Sequence, residues 1–182
     1  MRQSGSVIVP AFRLNLRCNT KARPRTAAFT LVEIMVTVTI ISLLAAASVP
    51  AVQSVKRRTI ATAVANDLRT FASAFDVYSH ETGGWPAEVN AGVFPPEMAN
   101  RITQSAWQRP TPFGGQYNWD NNQMHAGTRF RAAIAISTTP TSPVIEDVDL
   151  LEAIDKLIDD GNLATGNFRI GADGEPVYIV AP

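Results

Sequence analysis

The chain has almost no cysteine: Cys18 stands alone in 182 residues, and nothing after it can form a disulfide or a thiolate metal site. Arg17 sits ahead of Cys18 where a lipoprotein signal would carry a small residue, which argues against lipidation there. Histidine is equally scarce, His80 and His125 only, and neither has a second ligand at metal spacing. Ser, His and Asp residues occur without any spacing that links them as a triad, and Gly114-Gly115 has no phosphate-loop context. Acidic residues are missing from positions 1–28, which hold Arg2, Arg13, Arg17, Lys21, Arg23 and Arg25. The formal net charge of zero therefore divides into a basic start of +6 and a remainder with ten basic and sixteen acidic residues. Charge of either sign is missing from the 22 residues Ile34 to Val55.

That uncharged run matches the roughly 20 apolar residues that cross a bilayer as a helix. The basic residues before it place the N-terminus in the cytoplasm and the body of the chain outside. Lys56-Arg57-Arg58 directly after the run opposes this orientation, although the longer leading cluster outweighs it. An ordinary secretory signal is a competing account, because Ala45-Ala46-Ala47-Ser48 offers small residues for cleavage. The apolar run is nevertheless longer than a signal-peptide core. Glu33 at the edge of the run distinguishes it from a bare anchor, since a carboxylate there costs energy unless a cation meets it.

The six residues Ala28-Phe29-Thr30-Leu31-Val32-Glu33, directly after Arg23-Pro24-Arg25 and followed by the apolar run, resemble the N-termini of type IV pilins and type II secretion pseudopilins. The family pattern is a small residue, a cut, then Phe-Thr-Leu-Val/Ile-Glu and about 20 apolar residues. The family usually places glycine before the cut, and Ala28 is the smallest substitute. The resemblance implies cleavage by prepilin peptidase between Ala28 and Phe29, and N-methylation of Phe29. It implies an assembly role for Glu33, which would neutralise the new α-amine of Phe29 on an adjacent subunit. It also implies a kinked or locally melted helix at Pro50, where many family members carry proline. The partners implied are prepilin peptidase, other pilin-like subunits and an inner-membrane assembly platform, with the head in the periplasm. Nucleic acid is not expected as a partner of an acidic head.

Periodicity leads to a compatible architecture without the motif. Ile60, Val64, Leu68, Phe71, Phe75 and Tyr78 follow steps of four and three, one apolar stripe of a helix that Gly83-Gly84 ends. The expected helix runs from 29 to 82, apolar all round in its first half and amphipathic in its second. Residues 83–182 are expected to form a globular head, making the whole an α+β chain with a long N-terminal helix packed on a small antiparallel sheet. Within the head, Glu97 to Thr103 is expected as a short helix. Gly115 to Trp119 and Arg129 to Ile136 are expected as strands, with Asp120-Asn121-Asn122 as the turn between them. Asp147 to Asp160 is expected as a helix stopped by Gly161. Two short strands, 168–170 and 177–180, flank Ala172-Asp173-Gly174-Glu175, a hairpin signal. His80 near the end of the long helix is expected to interact with the helix dipole.

The expectation is a structural subunit, a pseudopilin or minor pilin of a type II secretion or type IV pilus-like filament, without catalytic residues and without a cofactor. Calcium is the one ion considered, at Asp120, Asp173 and Glu175, because these loops are oxygen-rich and the major pseudopilin of type II secretion binds calcium in a head loop. Hairpin turns explain the same residues equally well, and neither loop has the spacing of a known calcium motif. The competing function is a membrane-anchored periplasmic binding module or enzyme that uses 29–55 only as an anchor.

Overall fold

The computed structural model of the chain describes residues 29–125, 127–171 and 174–182. The leader residues 1–28, Ala28 among them, lie outside these, as does Asp173. The chain divides into two units, Met1–Leu43 and Leu44–Pro182. Helix α1, Leu31–Thr82, begins in the first and ends in the second.

In the described part of the first unit, every residue from Phe29 onward is exposed. Side chains such as Ile40, Ile41 and Leu43 have no protein surface to pack against. The 18-residue window of highest hydropathy in α1 has none of its residues buried. A helix that is apolar all round and unburied is of the kind that spans a membrane.

The second unit is built around the amphipathic part of α1. Ala61, Val64, Ala65, Leu68, Phe71, Ala72 and Phe75 are buried, with Ile60 and Tyr78 packed at the edges, so the predicted stripe is the inward face. Pro50 lies inside α1 and the helical assignment runs through it unbroken, so no melted turn forms at that point. The helix closes at Gly83, whose φ of 77° lets its N–H return to the Ser79 carbonyl at 2.9 Å.

A four-stranded antiparallel sheet faces this stripe, ordered β1-β2-β4-β3. Its strands are β1 Gln116–His125, β2 Thr128–Ser137, β3 Phe168–Ile170 and β4 Pro176–Ala181. The core is aromatic. Phe71 meets Trp107 and Tyr117 edge-on at 5.2 and 4.9 Å, and Phe75 stacks on Trp119. The two buried indoles each find a carbonyl: Trp107 Nε1 donates to Val93 O at 2.8 Å and Trp119 Nε1 to Pro86 O at 3.2 Å. A helix α3, Val148–Ile158, buries Leu150, Leu151 and Ile154 against the same core.

Several boundaries differ from the sequence expectation. The expected helix at 97–103 is a 3-10 turn, Pro96–Met98, followed by a separate helix α2, Gln104–Gln108. Thr103 is extended, with ψ of 119°, and this interrupts any continuous helix. Residues 120–122 are not a turn but part of β1, which runs to His125. The hairpin instead closes between His125 and Thr128, which pair directly, and Gly127 supplies the positive φ of 79°. Strand β2 does not alternate cleanly. Phe130, Ala132, Ile134 and Ile136 are buried, and Ala133 and Ala135 are buried too, in a small cluster with Val177. Being a central strand, β2 has hydrogen-bonded partners on both edges. Helix α3 is shorter than expected at both ends: Asp147 is its cap, accepting from the Leu150 N–H at 3.2 Å, and Asp159 has left the helical conformation.

Candidate functional site

The first group of predicted residues sits at the start of α1. Phe29 is 75% exposed, and Thr30 precedes the first helical residue. Thr30 and Glu33 cap the helix reciprocally. The Glu33 N–H donates to Thr30 Oγ1 at 3.2 Å, and the Thr30 N–H donates to Glu33 Oε2 at 3.3 Å. The Thr30 hydroxyl makes a further 3.3 Å bond to the same carboxylate oxygen. This Thr-x-x-Glu pattern is a capping box, and a carboxylate in the first turn also faces the positive end of the helix dipole. The sequence reading assigned Glu33 to a partner's amine and missed this local role, although the spacing of Thr30 and Glu33 carries the signal.

Beyond Glu33, hydroxyls are the only polar side chains in the apolar run up to Ser48, and each is bonded one turn back. Thr37 Oγ1 donates to Glu33 O at 3.0 Å and Thr39 Oγ1 to Met35 O at 2.8 Å. Ser42 Oγ reaches Val38 O and Ser48 Oγ reaches Leu44 O, both at 2.7 Å. A hydroxyl satisfied by its own helix places no demand on the surrounding medium.

The second group converges in the head. Asp120 and Glu175, 55 positions apart, line one cavity of about 190 Å³ together with Glu88, Asn118, Gln123 and His125. Asn118, Asp120, Gln123, Met124 and His125 of β1 all line it, and Asn122 among them has a positive φ of 61°. The Asp120 side chain is 7% exposed. Asn118 Nδ2 donates to its Oδ1 at 2.9 Å, and His125 Nε2 lies 3.0 Å from its Oδ2. Glu175 Oε1 accepts the Thr138 N–H at 2.8 Å, and Glu88 accepts from Gln123 Nε2. The Asp120–His125 approach had no sequence signal, because residues five apart in a strand are not expected to meet.

Of the three residues considered for calcium, two are thus brought together and Asp173 falls outside the described residues. Among the described residues, no three His, Cys, Asp or Glu side chains converge where they could hold one metal ion. The sequence expectation for His80 was a dipole contact, and its ring nitrogen also stands 3.6 Å from Asp76 Oδ1.

Comparison with known proteins bears on the first group. A family model described as the prokaryotic N-terminal methylation motif matches residues 23–49. The chain carries the signal motif of type IV pilins and pseudopilins. The motif covers the predicted cut, the capped start of α1 and most of the exposed apolar run, but none of the sheet. No curated protein and no solved structure matches the chain.

Proposed function

We propose that the chain is the precursor of a structural subunit, a pseudopilin or minor pilin, of a type II secretion or type IV pilus-like filament. Residues 1–28 are a leader that prepilin peptidase removes between Ala28 and Phe29, and Phe29 is then N-methylated. Residues 29–82 form the assembly helix, with 29–55 in the inner membrane and the N-terminus on the cytoplasmic side. Residues 83–182 form the periplasmic head. The subunit has no catalytic step of its own. Its partners are the peptidase, other pilin-like subunits and the inner-membrane assembly platform. One observation carries this reading: the methylation motif falls on a helix start whose single charge, Glu33, precedes a wholly exposed apolar surface.

Cleavage would leave a free α-amine on Phe29, ordinarily protonated at neutral pH with a pKa of about 7.7–8.0. Glu33 of a neighbouring subunit would neutralise it and set the register between subunits.

One observation favours a second reading. The Glu33 carboxylate already accepts from Thr30, so a helix cap accounts for it without any partner. In that reading 29–55 is an anchor for a periplasmic binding module or enzyme.

Mass spectrometry of the mature N-terminus, from cells with and without prepilin peptidase, tests the proposal. A peptide beginning at N-methyl-Phe29, present only with the peptidase, is the expected result. A chain still carrying its leader, or one cut near Ala47, would overturn it.

A further inference from the structure

We propose that the part of the head beside residues 53–60 of α1 sits in the headgroup layer of a phospholipid bilayer, with Lys56 and Arg58 on lipid phosphates and Ile145 and Val148 among the upper acyl chains. This rests on the reading that 29–55 spans the membrane, and it goes beyond that reading by giving the head a lipid contact of its own.

Depth comes first. A groove of about 350 Å³ is lined by Gln53, Lys56 and Ile60 from α1 and by Phe113, Ile145 and Leu150 from the head. Gln53 belongs to the uncharged run, which ends two residues later at Val55. From Val55 to Ile60 the helix rises about 7.5 Å, and less along the membrane normal if it tilts. The polar layer on each side of a bilayer core is roughly 5–7 Å thick. Head residues that share this groove therefore stand alongside the stretch of helix that crosses the headgroups, not beyond it.

Apolar surface continues from the run onto the head at this level. Val52 and Val55 at the end of the run are exposed, and so are Ile145 at 63% and Val148 at 57%. Neither head residue is on a free loop. The Ile145 N–H donates to Phe113 O at 2.9 Å, and Val148 opens α3 directly after its cap, Asp147. The fold thus holds two branched apolar side chains outward beside a segment that is itself apolar and uncovered, and lipid is the medium in which such a continuous surface is satisfied.

The cations divide by what holds them. Arg57 is committed to the head: its Nε lies 3.0 Å from Asp147 Oδ2 and its guanidinium reaches Asp149 Oδ2 at 3.1 Å. Lys56 and Arg58 on either side of it are exposed and make no ion pair among the described residues. Glu146, also exposed, is the remaining carboxylate of this rim, so the rim is close to neutral and suits the phosphates of a zwitterionic surface without requiring an anionic one. Long cationic side chains at the end of an apolar helix lay their stems in the apolar layer and their charges among phosphates.

The test uses the full chain in phosphatidylcholine nanodiscs at one chain per disc. An environment-sensitive fluorophore is attached in turn to Ile145→Cys, Val148→Cys, Val49→Cys and Met124→Cys, each with Cys18→Ser. Quenching is measured from a phosphatidylcholine that carries a nitroxide near the top of its acyl chain. Val49 lies in the apolar run and reports on the span, while Met124, exposed near the far end of β1, is the aqueous control. The expected result is strong quenching at Val49, Ile145 and Val148 and little at Met124. Lys56→Glu/Arg58→Glu, checked for an unchanged thermal midpoint, is expected to reduce quenching at Ile145 at least about twofold. Quenching at Val49 with none at Ile145 and Val148 would overturn the proposal and leave the spanning reading intact. No quenching at Val49 would overturn the spanning reading and the proposal with it. A label at Ile145 that is blue-shifted but unquenched would show protein rather than lipid over that position, and unchanged quenching in the double variant would remove the phosphate contacts, so either would also overturn it.

Discussion

The phenyl ring of Phe75 lies flat on the indole of Trp119, with centroids 3.7 Å apart and planes 2° from parallel. Phe75 is on α1 and Trp119 is on β1, so this stack fastens the sheet to the amphipathic part of the helix. Both residues are fully buried. Phe75→Ala removes the stack and leaves a cavity that Trp107, edge-on to the same ring at 5.6 Å, cannot fill without moving. The expected loss is about 3–5 kcal/mol, read from denaturant unfolding followed by tryptophan fluorescence. A loss below about 1 kcal/mol would mean the stack does not hold the two elements together.

Glu33 offers a substitution pair that separates its two candidate roles. Glutamine at the third helical position still completes a capping box, whereas alanine does not. If Glu33 acts only as a cap, Glu33→Gln assembles like the natural chain and Glu33→Ala loses about 1 kcal/mol of helix stability. If it neutralises the Phe29 amine of a neighbour, both variants fail to assemble, since both lack the charge. Filament recovery from cells expressing each variant decides between them.

Asp155 gives the head a dependence on pH. Its side chain is fully buried on α3 and neither carboxylate oxygen has a hydrogen-bond partner among the described residues. Burial, followed by the nearby charges of Asp160 and Asp159, pushes its pKa up from 3.8 to about 6. Because the folded state favours the protonated form, the stabilising contribution is complete below the unfolded pKa of 3.8 and is lost as pH rises through about 6. Asp155→Asn, which stays neutral, is expected to gain on the order of 2 kcal/mol over the natural chain at pH 8 and little at pH 4. Thermal midpoints of both proteins across that range check this, and parallel curves would refute it.

Asp147 serves two purposes on two elements. It caps α3 through the Leu150 N–H and accepts from Arg57 Nε at 3.0 Å. Exposed ion pairs contribute little, whereas a lost cap costs about 1 kcal/mol. Asp147→Ala should therefore cost about 1–2 kcal/mol, and Arg57→Ala less than about 0.5 kcal/mol, in equilibrium unfolding. A larger effect from Arg57→Ala would reverse this ranking.

Where one side of an element faces the core, the sequence was legible. The stripe from Ile60 to Tyr78 repeats apolar residues at helical spacing, and Leu150, Leu151 and Ile154 repeat them on α3. The Phe29–Glu33 motif was legible for another reason, because its meaning lies in residue order rather than in packing. The hairpin was misread because Asp120-Asn121-Asn122 has the composition of a turn. The chain uses those residues as strand instead, with Asn122 alone at a positive φ among the described non-glycine residues. Long-range pairing with β2 outweighs local turn preference there. Glu175 was singled out for its loop chemistry, but its convergence with Asp120 depends on sheet order, which local patterns do not encode.

The back-bonded hydroxyls of Thr37, Thr39, Ser42 and Ser48 bear on what the apolar run can tolerate. Each spends its donor on its own helix, so none must change partners when acyl chains are exchanged for the side chains of another helix. For this stretch the two surroundings are close to interchangeable solvents, and transfer between them is limited by shape and by dispersion contacts. Within the described start of α1, Glu33 is the residue for which the two media are not equivalent. If the proposed filament forms, such a segment passes from lipid to helix contacts without exchanging hydrogen bonds, and the Glu33 carboxylate registers the change.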